Sequence, residues 1–186
     1  MKYIFTQSVM TKSLLAVSLA ALLPVSAMAA ETSGGTVNFS GSVVTSACAI
    51  GSDSANIDVD LGQVRTATLA AAGSEASSAK AFSIVLEDCD TTVSKAVAVT
   101  FSGTPDANDA TSLAAGSNGG TGSAQNVAIR LYDEQGTVVK LGEPAGAVTL
   151  RDGENTLNFS AKYYSPKGTA TAGDASAVAT YTMTYS

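Results

Sequence analysis

Ala177-Val178-Ala179-Thr180-Tyr181-Thr182-Met183-Thr184-Tyr185-Ser186 is the most regular stretch of the chain, with an apolar residue at every odd position and threonine at most even ones. That period of two is the signature of a β-strand that turns one face to a core. The pattern runs to the penultimate residue with no polar tail. A strand this apolar is an aggregation hazard when its edge is left unpaired.

Working outward, the same alternation recurs at Val37 and Phe39, at Ile57, Val59 and Leu61, at Phe82, Ile84 and Leu86, and at Val97, Val99 and Phe101. It continues at Val127, Ile129 and Leu131 and at Leu157 and Phe159. Turn signals separate these segments, among them Gly51-Ser52-Asp53, Gly103-Thr104-Pro105-Asp106, Asp152-Gly153 and Ser165-Pro166-Lys167-Gly168. Many short alternating strands with frequent turns predict an all-β sandwich. Ala67 to Ala81 is alanine-rich, but Gly73 and several serines reduce it to a loop or one helical turn. Asp106 to Gln125, rich in Gly, Ser, Ala and Asn, reads as a mobile surface loop.

The N-terminus has its own logic. Lys2 and Lys12 precede an apolar run from Leu14 to Leu23, then Pro24 and Ala27-Met28-Ala29. Charged, apolar and small residues in that order mark residues 1–29 as a secretory signal cleaved after Ala29, whether translation starts at Met1 or Met10. Its loss leaves eight bases against sixteen acids, a formal charge of −8 on the mature chain. In an exported protein the two cysteines, Cys48 and Cys89, read first as a disulfide and second as two free thiols.

Composition narrows function. The 186 residues contain no histidine and no tryptophan, and only 14% are charged. The commonest general base and metal ligand is therefore missing. The scattered bases form no phosphate-binding face, so no nucleic-acid partner is expected. Asp58 with Asp60, and Glu87, Asp88 and Asp90, are solvent-facing carboxylates rather than a calcium cage. Gly34-Gly35 and Gly119-Gly120 lack the strand-to-helix context of a phosphate loop. No serine or threonine sits on a nucleophile elbow. We expect no enzyme activity, no metal and no cofactor.

The chain ends carry the functional signal. Ala30 to Gly41 precedes the disulfide-closed body, and Gly35, Val37, Phe39, Gly41 and Val43 alternate through it. Such a segment is either the sandwich's own edge strand, as in a self-sufficient secreted carbohydrate-binding module, or a strand meant for another molecule.

These ends, taken with Cys48 and Cys89, resemble the major subunit of type 1 fimbriae in the chaperone-usher pilin family. The resemblance rests on Gly34-Gly35-Thr36-Val37-Asn38-Phe39-Ser40-Gly41-Ser42-Val43-Val44, Ala47-Cys48-Ala49, Leu61-Gly62-Gln63-Val64-Arg65-Thr66 and Leu86-Glu87-Asp88-Cys89-Asp90. The penultimate Tyr185 and Gly173, fourteenth from the end, agree with it.

The resemblance implies an immunoglobulin-like β-sandwich lacking its final strand and completed by a donor strand from a neighbouring subunit. Residues 30–43 would be the donor extension and 44–186 the pilin domain. Val37 and Phe39 would fill pockets in the neighbour, Gly41 and Val43 would continue that face, and Gly35 would sit where strand exchange starts. Gly173, Tyr181, Met183, Tyr185 and Ser186 would belong to the acceptor groove and chaperone-binding C-terminus. The implied partners are identical subunits in a homo-polymer, a periplasmic chaperone, an outer-membrane usher, and tip adaptor and adhesin pilins. The implied product is the shaft of an adhesive surface fimbria; a minor adaptor pilin would share the same fold and ends.

Overall fold

The computed structural model describes residues 34–116 and 122–186. The signal assigned to residues 1–29 and the pair Gly119-Gly120 lie outside the described residues. Contact density separates residues 1–41 from a body of residues 42–186.

Within the body the strands are β1 (Ala49–Ile50), β2 (Ser74–Glu75), β3 (Lys80–Cys89), β4 (Ala96–Gly103), β5 (Leu113–Ala114), β6 (Ala128–Asp133), β7 (Val138–Val139), β8 (Pro144–Thr149), β9 (Gly153–Ser165) and β10 (Ala179–Tyr185), of which β3, β4, β6, β9 and β10 are alternating segments of the sequence. Every pairing between them is antiparallel. One sheet runs β1-β3-β9-β6-β5, with β2 also on β9 and β7 on β6; the other runs β10-β4-β8. The chain changes sheet between β3 and β4, where Asp90 accepts the backbone and hydroxyl of Thr92. It changes again between β8 and β9, where Gly153 takes a φ of +90° that other residues rarely adopt.

The core follows from the alternation. Ile84 and Leu86 of β3, Leu157 and Phe159 of β9, and Leu131 of β6 face Val97, Val99 and Phe101 of β4, all buried. Phe101 meets Phe159 edge-on across the sheets at 5.0 Å between ring centroids, and Phe82 stacks on Phe159 at 5.8 Å. Each of these side chains contributes roughly 1.5–3 kcal/mol by leaving water. Cys48 and Cys89 are bonded and buried, tying the entry to β1 to the end of β3 across a separation of 41 residues.

Three regions differ from the sequence expectation. Ile57, Val59 and Leu61 keep their alternating half-burial, yet residues 57–65 pair with no strand. The side chains still find the core, while the backbone lacks a neighbour to form a ladder. The stretch 106–125 is not simply a loop, because Leu113 is buried and β5 pairs with β6. Thr66–Leu69 forms the short helical turn read from the alanine-rich segment, but that segment also holds β2 and the first residues of β3, which the reading as a loop did not show.

An ion cluster covers the outer face of the larger sheet. Arg130 of β6 donates to Asp109 at 2.7 Å and to Glu75 at 3.2 Å, and its guanidinium lies 3.3 Å over the Tyr164 ring. Tyr132 also donates to Glu75. Burial opposes the charge on Glu75, but the Tyr132 hydrogen bond, the Lys162 charge and Arg130 win and hold its pKa below the ordinary value. Asp109 is likewise held well down against burial by Thr111, Arg130 and Ser112.

Two outcomes follow from this packing. Reduction of the disulfide, or a paired Cys48→Ser and Cys89→Ser change, lowers unfolding free energy by about 2–5 kcal/mol in denaturant titrations. Because the folded carboxylates titrate below their unfolded values, their stabilisation is complete above the ordinary carboxylate range and is lost as pH falls through the folded pKa values. Thermal melts should drop below about pH 4, and Arg130→Met should flatten that drop.

Candidate strand-accepting groove

Among the described residues β10 has a partner on one side only. Its seven residues pair with β4 from Ala179 opposite Gly103 to Tyr185 opposite Val97. Ser186 and Ala96 exchange both backbone hydrogen bonds at 3.0 Å, and Lys95 also donates to the Ser186 carbonyl. An antiparallel ladder alternates bonded and non-bonded pairs. Counting back from Ser186, the bonded positions are Thr184, Thr182 and Thr180. The N–H and C=O groups of Tyr181, Met183 and Tyr185 therefore point to the free edge.

Those three residues also turn their side chains inward. Tyr181, Met183 and Tyr185 pack against the core yet stay only half-buried, while the threonines between them are exposed. One face and one edge of the same strand thus lack cover. The opposite wall is the unpaired segment 55–65, whose Ile57 and Leu61 rest on the core. Sequence reasoning took Ile57, Val59 and Leu61 for an ordinary strand. Their alternation was visible, but nothing in it shows that the neighbouring strand is missing.

At the start of β10 the trough deepens into a cavity of about 560 Å³ between residues 59–66 and 170–177. Its floor includes Leu69 and Val127, which form a small second core, and Tyr163 of β9. Gly173 lines this cavity and has a further role. A Cβ there would collide with the backbone of Gly122 and Ala124. The close approach lets Asp174 exchange backbone hydrogen bonds with Gly122 and Ala124 at 2.9 and 2.8 Å. The wall is thus fastened to the neighbouring loop.

The residues read as a donor stand in a different state. Residues 34–45 form no strand, and Val37, Phe39 and Val43 are exposed, Phe39 to 93%. A Cβ on Gly35 or Gly41 would meet nothing within 4 Å. This chain's own packing gives no reason for a glycine at either position.

The family model for fimbrial proteins matches residues 37–186. The chain belongs to the fimbrial protein family. This fimbrial protein is 42% identical to the major MR/P fimbria protein of Proteus mirabilis over 86% of its own length and 89% of the relative's. It is 41% identical to the type-1 fimbrial protein A chain of Escherichia coli K12, over 94% and 97% of the two chains. Among solved structures it matches a subunit of a chaperone-usher pilus, described for the molecular basis of rod uncoiling, with a TM-score of 0.70 and 31% identity over 85% of this chain and 99% of that one. The rod subunit of the P pilus matches with a TM-score of 0.63 and 31% identity over 76% of this chain and all of its own. The fold is therefore the immunoglobulin-like sandwich of chaperone-usher pilins, and the chain is a component of a surface fimbrium.

Filling the Gly173 gap is the direct check on the wall. Gly173→Ala should cost about 1–3 kcal/mol of stability through forced backbone shifts, read as a lower urea midpoint. Gly41→Ala, in open space, should leave that midpoint unchanged.

Proposed function

We propose that this fimbrial protein is a shaft subunit that polymerises head to tail, each copy laying its residues 30–43 into the groove of the next. The free edge of β10 carries this reading, because one strand edge and the face beside it are both left without a partner. The exposed alternation of Val37, Phe39 and Val43 on the same chain has the chemistry to cover them. Near full-length similarity to major fimbrial subunits supports the shaft role.

The energetics are those of completing a sandwich. Each Val or Phe that leaves water contributes about 1.5–3 kcal/mol. Ladder bonds satisfy edge groups that cost about 1–3 kcal/mol each when buried unpaired. A head-to-tail contact of this kind does not close on itself, so it generates a filament. Glycine at 35 and 41 then has a reason outside this chain, in the space a neighbour's groove leaves for the donor.

An open edge cannot safely wait in solution. The reading therefore includes a periplasmic chaperone that lends a strand to the β10 groove after export, and an outer-membrane usher at which the next subunit's segment takes over. Tip adaptor and adhesin pilins would join the same way. A self-sufficient carbohydrate-binding module fits less well, because it would use residues 30–43 as its own edge strand, whereas the described part of that segment, residues 34–43, is unpaired.

Phe39→Asp in the full chain, expressed with its secretion partners, tests the proposal. The variant should be exported and form its disulfide, yet electron microscopy of sheared cells should show fibres lost or severely shortened. Fibres of normal length and number would contradict strand donation.

A further inference from the structure

The wall facing β10 poses a physical problem. Residues 57–65 have no ladder to fix them, and the groove floor beside them is apolar. An unladdered wall next to uncovered apolar surface gains by closing over it. A wall that closed would leave no room for another strand. Neighbouring strands stand about 4.8 Å apart, so walls that admit one strand between them need about twice that spacing.

Two tyrosines from opposite sheets hold this wall by its carbonyls. Tyr181 of β10 donates its hydroxyl to the Ser54 carbonyl at 2.6 Å, and Tyr163 of β9 donates to the Gly62 carbonyl at 3.4 Å. Ser54 stands in the turn just ahead of the unladdered segment and Gly62 stands within it. Ser54 is itself fixed, because it is buried and its Oγ accepts the Val85 N–H of β3 at 2.8 Å. Gly62 is held in a turn with φ +65°, its N–H bonded to Asp60 at 2.8 Å. A phenol suits this task because it is long, stiff and apolar along its body and ends in a donor.

We infer that Tyr181 and Tyr163 are positioning residues that brace the 55–65 wall at the spacing one donor strand requires, so that the empty groove stays open. This inference rests on the strand-donation reading. Each phenol reaches the wall from below, from an inward-facing position, and leaves the ladder groups of β10 free to pair. Phenylalanine at 181 or 163 would fill the floor equally well and give the wall no anchor.

Protonation provides a readout that packing alone does not. Burial, and then Tyr185, push the Tyr181 pKa up; burial, and then Asp174 and Asp60, push Tyr163 up. The remaining ring neighbour of Tyr181 is Phe101, which carries no charge. A raised folded pKa means that the donor is intact below the ordinary tyrosine value of about 10. It is lost as pH rises through the folded value.

The test uses the full, oxidised chain and a labelled peptide of residues 33–44 in excess, with a Phe39→Asp peptide as control. Tyr181→Phe and Tyr163→Phe should each slow peptide association about fivefold, the scale of one lost hydrogen bond, and the double variant more, while peptide-free melting moves little. Wild-type association should hold up to about pH 10 and fall only as pH rises beyond the ordinary tyrosine value, and the double variant should lose that fall. Wild-type rates in the variants, or an unchanged alkaline fall in the double variant, would overturn the bracing role. Tyr163→Phe carries the test independently should Tyr181→Phe prove unstable. A wild-type chain that takes up both peptides equally would instead overturn strand donation itself.

Discussion

The free edge of β10 is a place where two unfavourable exposures coincide. The N–H and C=O groups of Tyr181, Met183 and Tyr185 have no ladder partner there, and the side chains of the same residues stay half in water. Either one alone would be ordinary, since edge strands exist in most sheets and scattered apolar exposure is normal. Together they describe the outline of an absent strand, alternating apolar side chains down and backbone groups to the side. Residues 34–44 have that alternation and stand exposed on the same chain.

A sandwich that waits with one strand missing must be held by other means. Here they are concentrated around the opening. The Cys48–Cys89 bond pins the entry to β1 to β3, beside the turn that carries Ser54. The Phe82, Phe101 and Phe159 cluster locks the two sheets together beneath the groove floor. Gly173 lets the chain leading into β10 lie against the 122–124 backbone. The open side is thus framed by a covalent link, a packed aromatic core and a close backbone contact, none of which needs the missing strand.

Much of this was legible in the sequence, and what was not legible has a common cause. β3, β4, β6, β9 and β10 announce themselves because each has a buried face and a polar one, which period-two alternation reports directly. Ile57, Val59 and Leu61 show the same alternation, yet the backbone beside them has no partner, and side-chain pattern carries no information about ladders. Leu113 hides in a stretch of glycine, serine and alanine because a two-residue strand is too short to alternate. Gly173 was recognised by its position, whereas its physical reason, contact with Gly122 and Ala124, lies some fifty residues away in sequence. The hydroxyls of Tyr163 and Tyr181 were invisible for a similar cause, since a tyrosine that packs and one that also braces look identical in one dimension.

The central claim is that the body lacks one strand and that residues 30–43 supply it. The most direct measurement is thermal unfolding of a chain in which that segment is moved, through a short flexible linker, to follow Ser186, compared with a chain that lacks it and with the moved strand carrying Phe39→Asp. The account predicts a monomer that melts far above the truncated chain, with the gain abolished by the aspartate. A truncated chain already as stable as the rearranged one, or a gain that survives Phe39→Asp, would contradict it.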